Sequence, residues 1–156
     1  VIVDRTDGVR QRDTLRNAYD RLERSEEHYR ALANFSPEWD FWLSADGELI
    51  HVSPACIETT GYSAIEFTSD LELLQRIIHA DDFHRWKQHL TGPPQHGRDH
   101  EPLLFRIRAR DGNERWIEHL CGPMIAEDGR NLGRRGINRD VTARMQLELS
   151  SRESTR

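Results

Sequence analysis

Histidine, cysteine and arginine have the most chemistry to offer in this chain, and they are unevenly placed. Of eight histidines, five (His79, His84, His89, His96 and His100) fall between residues 79 and 100. Imidazoles at that density suit a metal ion or a proton-transfer site. Their setting argues against a metal centre: His84 and His89 lie in a helical stretch that is mostly solvated, and His96 and His100 flank a loop. No metal is therefore expected. The two cysteines, Cys56 and Cys121, form no CxxC pair and are too few for a disulfide framework or a four-cysteine zinc site, so they read as buried free thiols. Gly133-Arg134-Arg135-Gly136 lacks the Lys-Ser/Thr of a phosphate loop, and the sequence has no HExxH and no serine elbow. No catalytic residue is assigned, and the chain reads as a non-enzyme. What remains is binding chemistry: Arg106, Arg108, His119 and Arg135 can supply counter-charge to an acidic organic ligand.

The elements that must position these groups are legible from periodicity. Phe105, Ile107 and Ala109 alternate with Arg106, Arg108 and Arg110, the mark of a strand with one buried and one wet face. Asp111-Gly112 suits a tight turn in which both central residues tolerate positive φ. Trp116, Glu118 and Leu120 then interleave with Ile117, His119 and Cys121 in a second strand, whose facing the pattern leaves open. Upstream, Trp39–Ser44 and Leu49–Ser53 read as a hairpin around Asp46-Gly47. Ser53-Pro54 opens a short helix with Ser53 as N-cap, ended by Gly61. Tyr62–Phe67 is a turn or helical piece, Asp70–Ile78 is helical, and Asp81 or Asp82 caps a further helix whose apolar face is Phe83, Trp86 and Leu90. Residues 91–100 are the most loop-like stretch. Leu132–Val141 is a fifth strand after a turn at Asp128-Gly129, and Thr142 caps a polar last helix.

Before all of this, residues 9–35 read as one long helix. Leu15, Ala18, Leu22, Ser25, Tyr29 and Leu32 recur at steps of three and four, an a/d seam about three heptads long. So narrow a seam favours pairing with a second copy over packing on the helix's own domain. Ser36-Pro37 ends the helix.

Composition bounds the rest. Hydrophobic content of 36% against 31% charge leaves a polar excess that we place at the two ends. A net charge of −5 gives no electrostatic footprint for nucleic acid. There is no apolar run of membrane-spanning length and no signal peptide, so a cytoplasmic location is expected, with a parent chain that a membrane anchor could hold.

Taken in order, several strings resemble a PAS domain, the sensor module of bacterial signalling proteins, in its fold-3 subgroup. They are Ala45-Asp46-Gly47; Val52-Ser53-Pro54 with Gly61-Tyr62; Ile78-His79-Ala80-Asp81-Asp82; Arg108–Gly112 with Arg115-Trp116; and the PAC-like Arg139-Asp140-Val141-Thr142. The resemblance covers about residues 30 to 145. It implies an α+β PAS fold: a five-stranded antiparallel sheet with short helices on one face, flanked by N- and C-terminal helices. The expected organisation is an irregular stretch 1–8, a signalling helix 9–35, the PAS domain 36–142 and a linker helix 143–156.

The resemblance also implies a small-molecule pocket between sheet and helices. Its expected lining is Phe41, Cys56, Ile57, Phe67, Leu74, Ile78, Trp86, Phe105, Ile107, Ile117, His119, Cys121 and Ile137. Asp140 and Thr142, with Arg106 and Trp116, would tie the last strand to the output helix, Asp140 pairing with an arginine between Arg106 and Arg115. Flavin-binding members carry a cysteine in an NCRFLQ-like string, which Pro54-Ala55-Cys56-Ile57 is not. Haem-binding members use a histidine on the long helix, which leaves His84 and His89 as the weakest reading. The leading expectation is a ligand sensor that forms a homodimer through its N-terminal helix. A covalently linked output domain, as in a sensor histidine kinase or diguanylate cyclase, would receive its signal. The rival is a dimerisation or scaffold module without ligand.

Overall fold

A computed structural model describes residues 5–92 and 101–155. Helix α1 spans Arg5–Asn34. Residues 5–8, expected to be irregular, are its first turn. Gly8 costs a helix about 1 kcal/mol, but Asp7 sits where the helix dipole favours an acid. Leu15, Leu22, Tyr29 and Leu32 are all more than half exposed. The helix forms one unit with Phe35, and the chain from Ser36 forms another.

The second unit begins with β1 (Trp39–Leu43) and β2 (Leu49–Val52), followed by the short helices α2 (Cys56–Thr60), α3 (Ala64–Ser69) and α4 (Leu73–Ile77). Then come α5 (Ala80–Thr91), strands β3 (Leu103–Arg108), β4 (Glu114–Ile125) and β5 (Asn131–Asp140), and helix α6 (Thr142–Ser154). The five strands form one sheet in the order β2-β1-β5-β4-β3, with every neighbouring pair antiparallel. This is the expected α+β architecture. The loop expected at 91–100 begins one residue later, since Thr91 closes α5; 93–100, with His96 and His100, lie outside the described residues. Among the described residues no helix is long and apolar enough to cross a membrane.

The three Asp-Gly turns share one geometry, and it is not the two-residue turn expected at Asp111-Gly112. In each, residue i donates to the carbonyl of i+4 and the glycine donates back to the carbonyl of i: Ser44 with Glu48 and Gly47, Ala109 with Asn113 and Gly112, Ala126 with Arg130 and Gly129. Only glycine takes a positive φ, for example +87° at Gly112, and no other residue type does so among the described residues. The aspartate holds the turn by its carboxylate instead, accepting from the amide two residues on at Asp111 and Asp128.

The other expected caps also differ. Ser53 does not cap α2, whose N-cap is Ala55. Its buried hydroxyl donates to the Glu38 carbonyl and accepts from the Asp40 amide, stapling the start of β1 to the end of β2. The α5 N-cap is His79, whose Nδ1 accepts from the Asp81 amide.

Asp82 is thereby released for a longer-range task. Its carboxylate accepts from the Arg106 amide at 2.8 Å, from Arg106 Nε at 2.9 Å and from Arg85 Nη2 at 3.0 Å. With the His79 amide bonded to the Arg106 carbonyl at 2.9 Å, this clasps the start of α5 to edge strand β3. The inner face of the sheet then packs under the helices: Phe105, Ile107 and Ile117 are almost fully enclosed, beside Ile77, Ile78 and Trp86.

Burial alone would raise the pKa of Asp82, but the hydrogen bonds from Arg106 and Arg85 outweigh it and bring it down to about 2. A depressed carboxylate stabilises the fold above its unfolded pKa, and that contribution is lost as the pH falls through the folded value. Asp82→Asn should therefore lose about 2 kcal/mol or more at neutral pH. Its deficit should narrow as pH drops from about 4 towards 2, read by urea titration at each pH. A deficit that does not change with pH would contradict this.

Candidate functional site

A cavity of about 350 Å³ lies between the β2-β1-β5 half of the sheet and helices α3 to α5. Sheet register decides which side chains reach it. Phe41 pairs with Gly136 and Trp39 with Asn138, which in turn pairs with His119, so these share the inner face. A Cβ on Gly136 would stand 2.6 Å from the Phe41 ring and 2.8 Å from the Leu120 carbonyl oxygen, so glycine lets the ring approach β5 this closely. The sheet side of the cavity is Trp39, Phe41, Leu43, Leu49, Val52, His119 and Asn138. The helix side includes Phe67, Leu74, Trp86 and Leu90, with Gln75, Lys87 and Thr91 adding polar groups.

Of the residues expected to line a pocket, Phe41, Phe67, Leu74, Trp86 and His119 do so. Cys56, Ile78, Phe105, Ile107, Ile117 and Cys121 are buried in the surrounding core instead. Ile57 stands 51% exposed on the outside of α2, since the core side of that single turn is taken by Cys56 and Thr60. Ile137 pairs with Leu120 and Asp40, out of phase with Asn138, and so belongs to the outer face. The open question of β4 is answered by the same register: His119 and Cys121 both point inward and are buried. Asn138 was not foreseen. Its signal was available, because a polar residue two positions from Gly136 on the inward parity of β5 needs a polar partner.

That partner is His119. Its Nδ1 lies 2.7 Å from Asn138 Oδ1, its ring stacks on Phe41 at 5.4 Å, and the His89 ring meets it edge-on at 5.0 Å. His89 Nε2 is 3.0 Å from Cys121 Sγ. Burial raises the pKa of the Cys121 thiol, and neighbouring Arg134 partly offsets this. Arg134 is itself buried and donates to the carbonyls of His89 and Gly92, at 2.9 and 2.7 Å, closing the C-terminal end of α5. Cys56 is distinct: its thiol donates to the Tyr62 carbonyl, and burial with the Glu66 carboxylate pushes its pKa up to about 11. Among the described residues no cysteine lines the cavity, so the side chains do not fit flavin–thiol chemistry.

At the far end of β4 the sheet meets α6. The Trp116 amide donates to Thr142 Oγ1 at 2.9 Å, and the Thr142 hydroxyl donates to Asp140 Oδ1 at 2.5 Å. The Thr142 amide also donates to Asp140, and the Val141 amide to the Trp116 carbonyl. Thr142 is thus not the N-cap of α6; Val141 is, and the threonine hydroxyl ties strand to strand end. The arginine beside Asp140 is Arg115, at 3.7 Å. Arg106 is engaged elsewhere, clasping Asp82 while its guanidinium covers the Trp116 ring at 5.1 Å. Arg144 of α6 adds an ion pair to Glu118 at 3.0 Å.

Comparison with known families matches residues 49–138 to a family described as PAS fold. A comparison with curated proteins gave no match. Among solved structures, the chain is similar to the PAS domain of a protein from Colwellia psychrerythraea, at 18% identity and TM-score 0.56, covering 75% of this chain and 97% of that one. It is also similar to a sensory box histidine kinase/response regulator from Burkholderia thailandensis, at 24% identity and TM-score 0.55, covering 81% and 94%. A third is the PAS domain of an HTR-like protein from Haloarcula marismortui, at 21% and 0.56, covering 80% and 98%. At these identities the likeness establishes the fold.

The strand-to-helix junction is open to a direct test. Thr142→Val keeps the shape of the side chain but removes the oxygen that the Trp116 amide uses. Exchange of the Trp116 amide and of the first turn of α6 should quicken about tenfold, as a lost hydrogen bond of roughly 1.4 kcal/mol would give. Unchanged exchange would show that the threonine does not hold this junction.

Proposed function

The chain belongs to the PAS fold family, whose members are sensory rather than catalytic modules, and on that premise we propose that it binds a small organic molecule in its cavity. The observation that carries this reading is the cavity itself, with apolar walls and a few convergent polar groups. His119 and Asn138 stand on the sheet side and Lys87 on the helix side, which suits a compact, mainly apolar ligand with one acidic or hydrogen-bonding end. Arg106 and Arg135, considered from sequence as counter-charges, serve elsewhere: Arg106 clasps Asp82, and Arg135 approaches Asp40 on the outer face.

Transmission follows the strands. His119 and Trp116 share β4, and Asn138 and Asp140 share β5. A ligand that shifts the His119–Asn138 pair strains the junction at Trp116, Thr142 and Asp140, and through it α6. The output would be a covalently linked domain of a kinase or cyclase type. Ligand can bias the junction only by as much as its affinity differs between the two arrangements. A copy of this chain is the partner proposed for α1, through the exposed seam of Leu15, Ala18, Leu22, Tyr29 and Leu32.

Two experiments test this. In a thermal-shift panel of small carboxylic and heteroaromatic acids, a compound at 100 times its Kd adds about 2.7 kcal/mol, a shift of several degrees. Leu74→Trp, whose indole takes part of the cavity, should sharply reduce that shift; a shift that survives in full would place binding elsewhere. Leu22→Glu should move the protein towards monomer in sedimentation equilibrium, and an unchanged dimer would contradict pairing through α1.

A further inference from the structure

The donor atoms of His89, His119 and Cys121 all lie within 4.8 Å of one another. Two come from one strand: His119 and Cys121 stand two residues apart on β4, so both project from the same face. The third comes from the last turn of α5, directly opposite. The cluster has features beyond proximity. The Asn138 amide oxygen holds the proton of His119 on Nδ1, which turns the Nε2 lone pair away from Asn138. The backbone that presents His89 is fixed by Arg134, through the His89 and Gly92 carbonyls. Two imidazoles and a thiol are a donor set for a borderline-soft ion, whereas hard cations require oxygen.

We propose that His89, His119 and Cys121 form a three-ligand zinc(II) site at the rim of the cavity, with the fourth coordination position open towards it. A tetrahedral zinc site spaces neighbouring nitrogen and sulfur donors about 3.5 Å apart. The present 3.0 Å between His89 Nε2 and Cys121 Sγ therefore opens by a rotamer adjustment at the end of α5. On binding, the thiol gives its proton to solvent and the thiolate becomes the ligand, one proton released for each ion bound. His119 reaches both the cluster and the cavity, so the open position takes water or a donor atom from a small molecule. A haem does not fit the arrangement: its iron offers protein ligands only the two axial positions on opposite faces, and these three donors converge on one point. The site stands independently of whether the cavity also takes an organic ligand.

Cobalt(II), which reports on zinc sites through its spectrum, tests this on the whole chain after removal of metal. One equivalent should produce the intense visible bands of four-coordinate cobalt and a near-ultraviolet thiolate charge-transfer band, and one equivalent of zinc(II) should erase both. Cys121→Ser should remove the charge-transfer band. His89→Gln, at a half-buried position, should weaken cobalt binding at least about 100-fold. Asn138→Ala, at a positioning residue, should weaken it about 10- to 100-fold, while His84→Ala on the exposed side of α5 leaves it unchanged. Circular dichroism of each variant separates loss of ligand from loss of fold. Absence of the charge-transfer band at saturating cobalt, its persistence in Cys121→Ser, or unaltered affinity in folded His89→Gln would overturn the proposal.

Discussion

The antiparallel pairing of β4 with β5 is the constraint on which the rest depends. It holds one register from Ile117 opposite Asp140 to Met124 opposite Gly133, and shifts only before Ile125 meets Asn131. Because side chains alternate along a strand, this register sets the facing of the functional groups on both strands. It puts His119 beside Asn138 under the cavity, Cys121 beside Gly136, and the end of β5 beside Trp116 where α6 begins. A slip of one residue would turn His119 and Cys121 outward and break the junction with Thr142 at the same time. The cavity and the start of α6 therefore lie along one hydrogen-bonded ladder.

Around that ladder two buried charged groups hold α5. Asp82, held by Arg106 and Arg85, anchors the start of α5 against β3. Arg134, bonded to the carbonyls of His89 and Gly92, anchors its end against β5. Such buried charges add little net stability against an apolar alternative, yet removing one partner costs several kcal/mol. Their effect here is positional. They hold α5 by both ends across the sheet, and the space left between is the cavity.

Much of this fold was legible in the sequence, because the signals involved are local. Period-two alternation located the strands, and Pro37 marked the end of the first helix. The turns were located by their Asp-Gly pairs but misjudged in type, since the choice between a two-residue turn and a longer one with a single left-handed glycine depends on how the flanking strands pair. Caps failed for the same reason: Ser53, Asp82 and Thr142 each carry a side chain that suits a local cap, and each is drawn into a longer-range bond. Half-way round α2, Ile57 was expected to be internal, but a helix of one turn has room for only one inward side. The cavity residues were the hardest to read, because core and cavity wall use the same side chains. Composition cannot distinguish Phe105, which is packed on all sides, from Phe41, which is not.

Cavity contents and α6 are proposed to be coupled through β4 and β5. Hydrogen exchange resolved by residue, comparing the unsubstituted chain with Leu74→Trp, whose indole occupies part of the cavity, tests this most directly. Such coupling predicts altered protection at the His119 and Trp116 amides and across the first turn of α6, some distance from the substitution. A change confined to the walls of the cavity, with Trp116 and residues 142–146 unaffected, would contradict it.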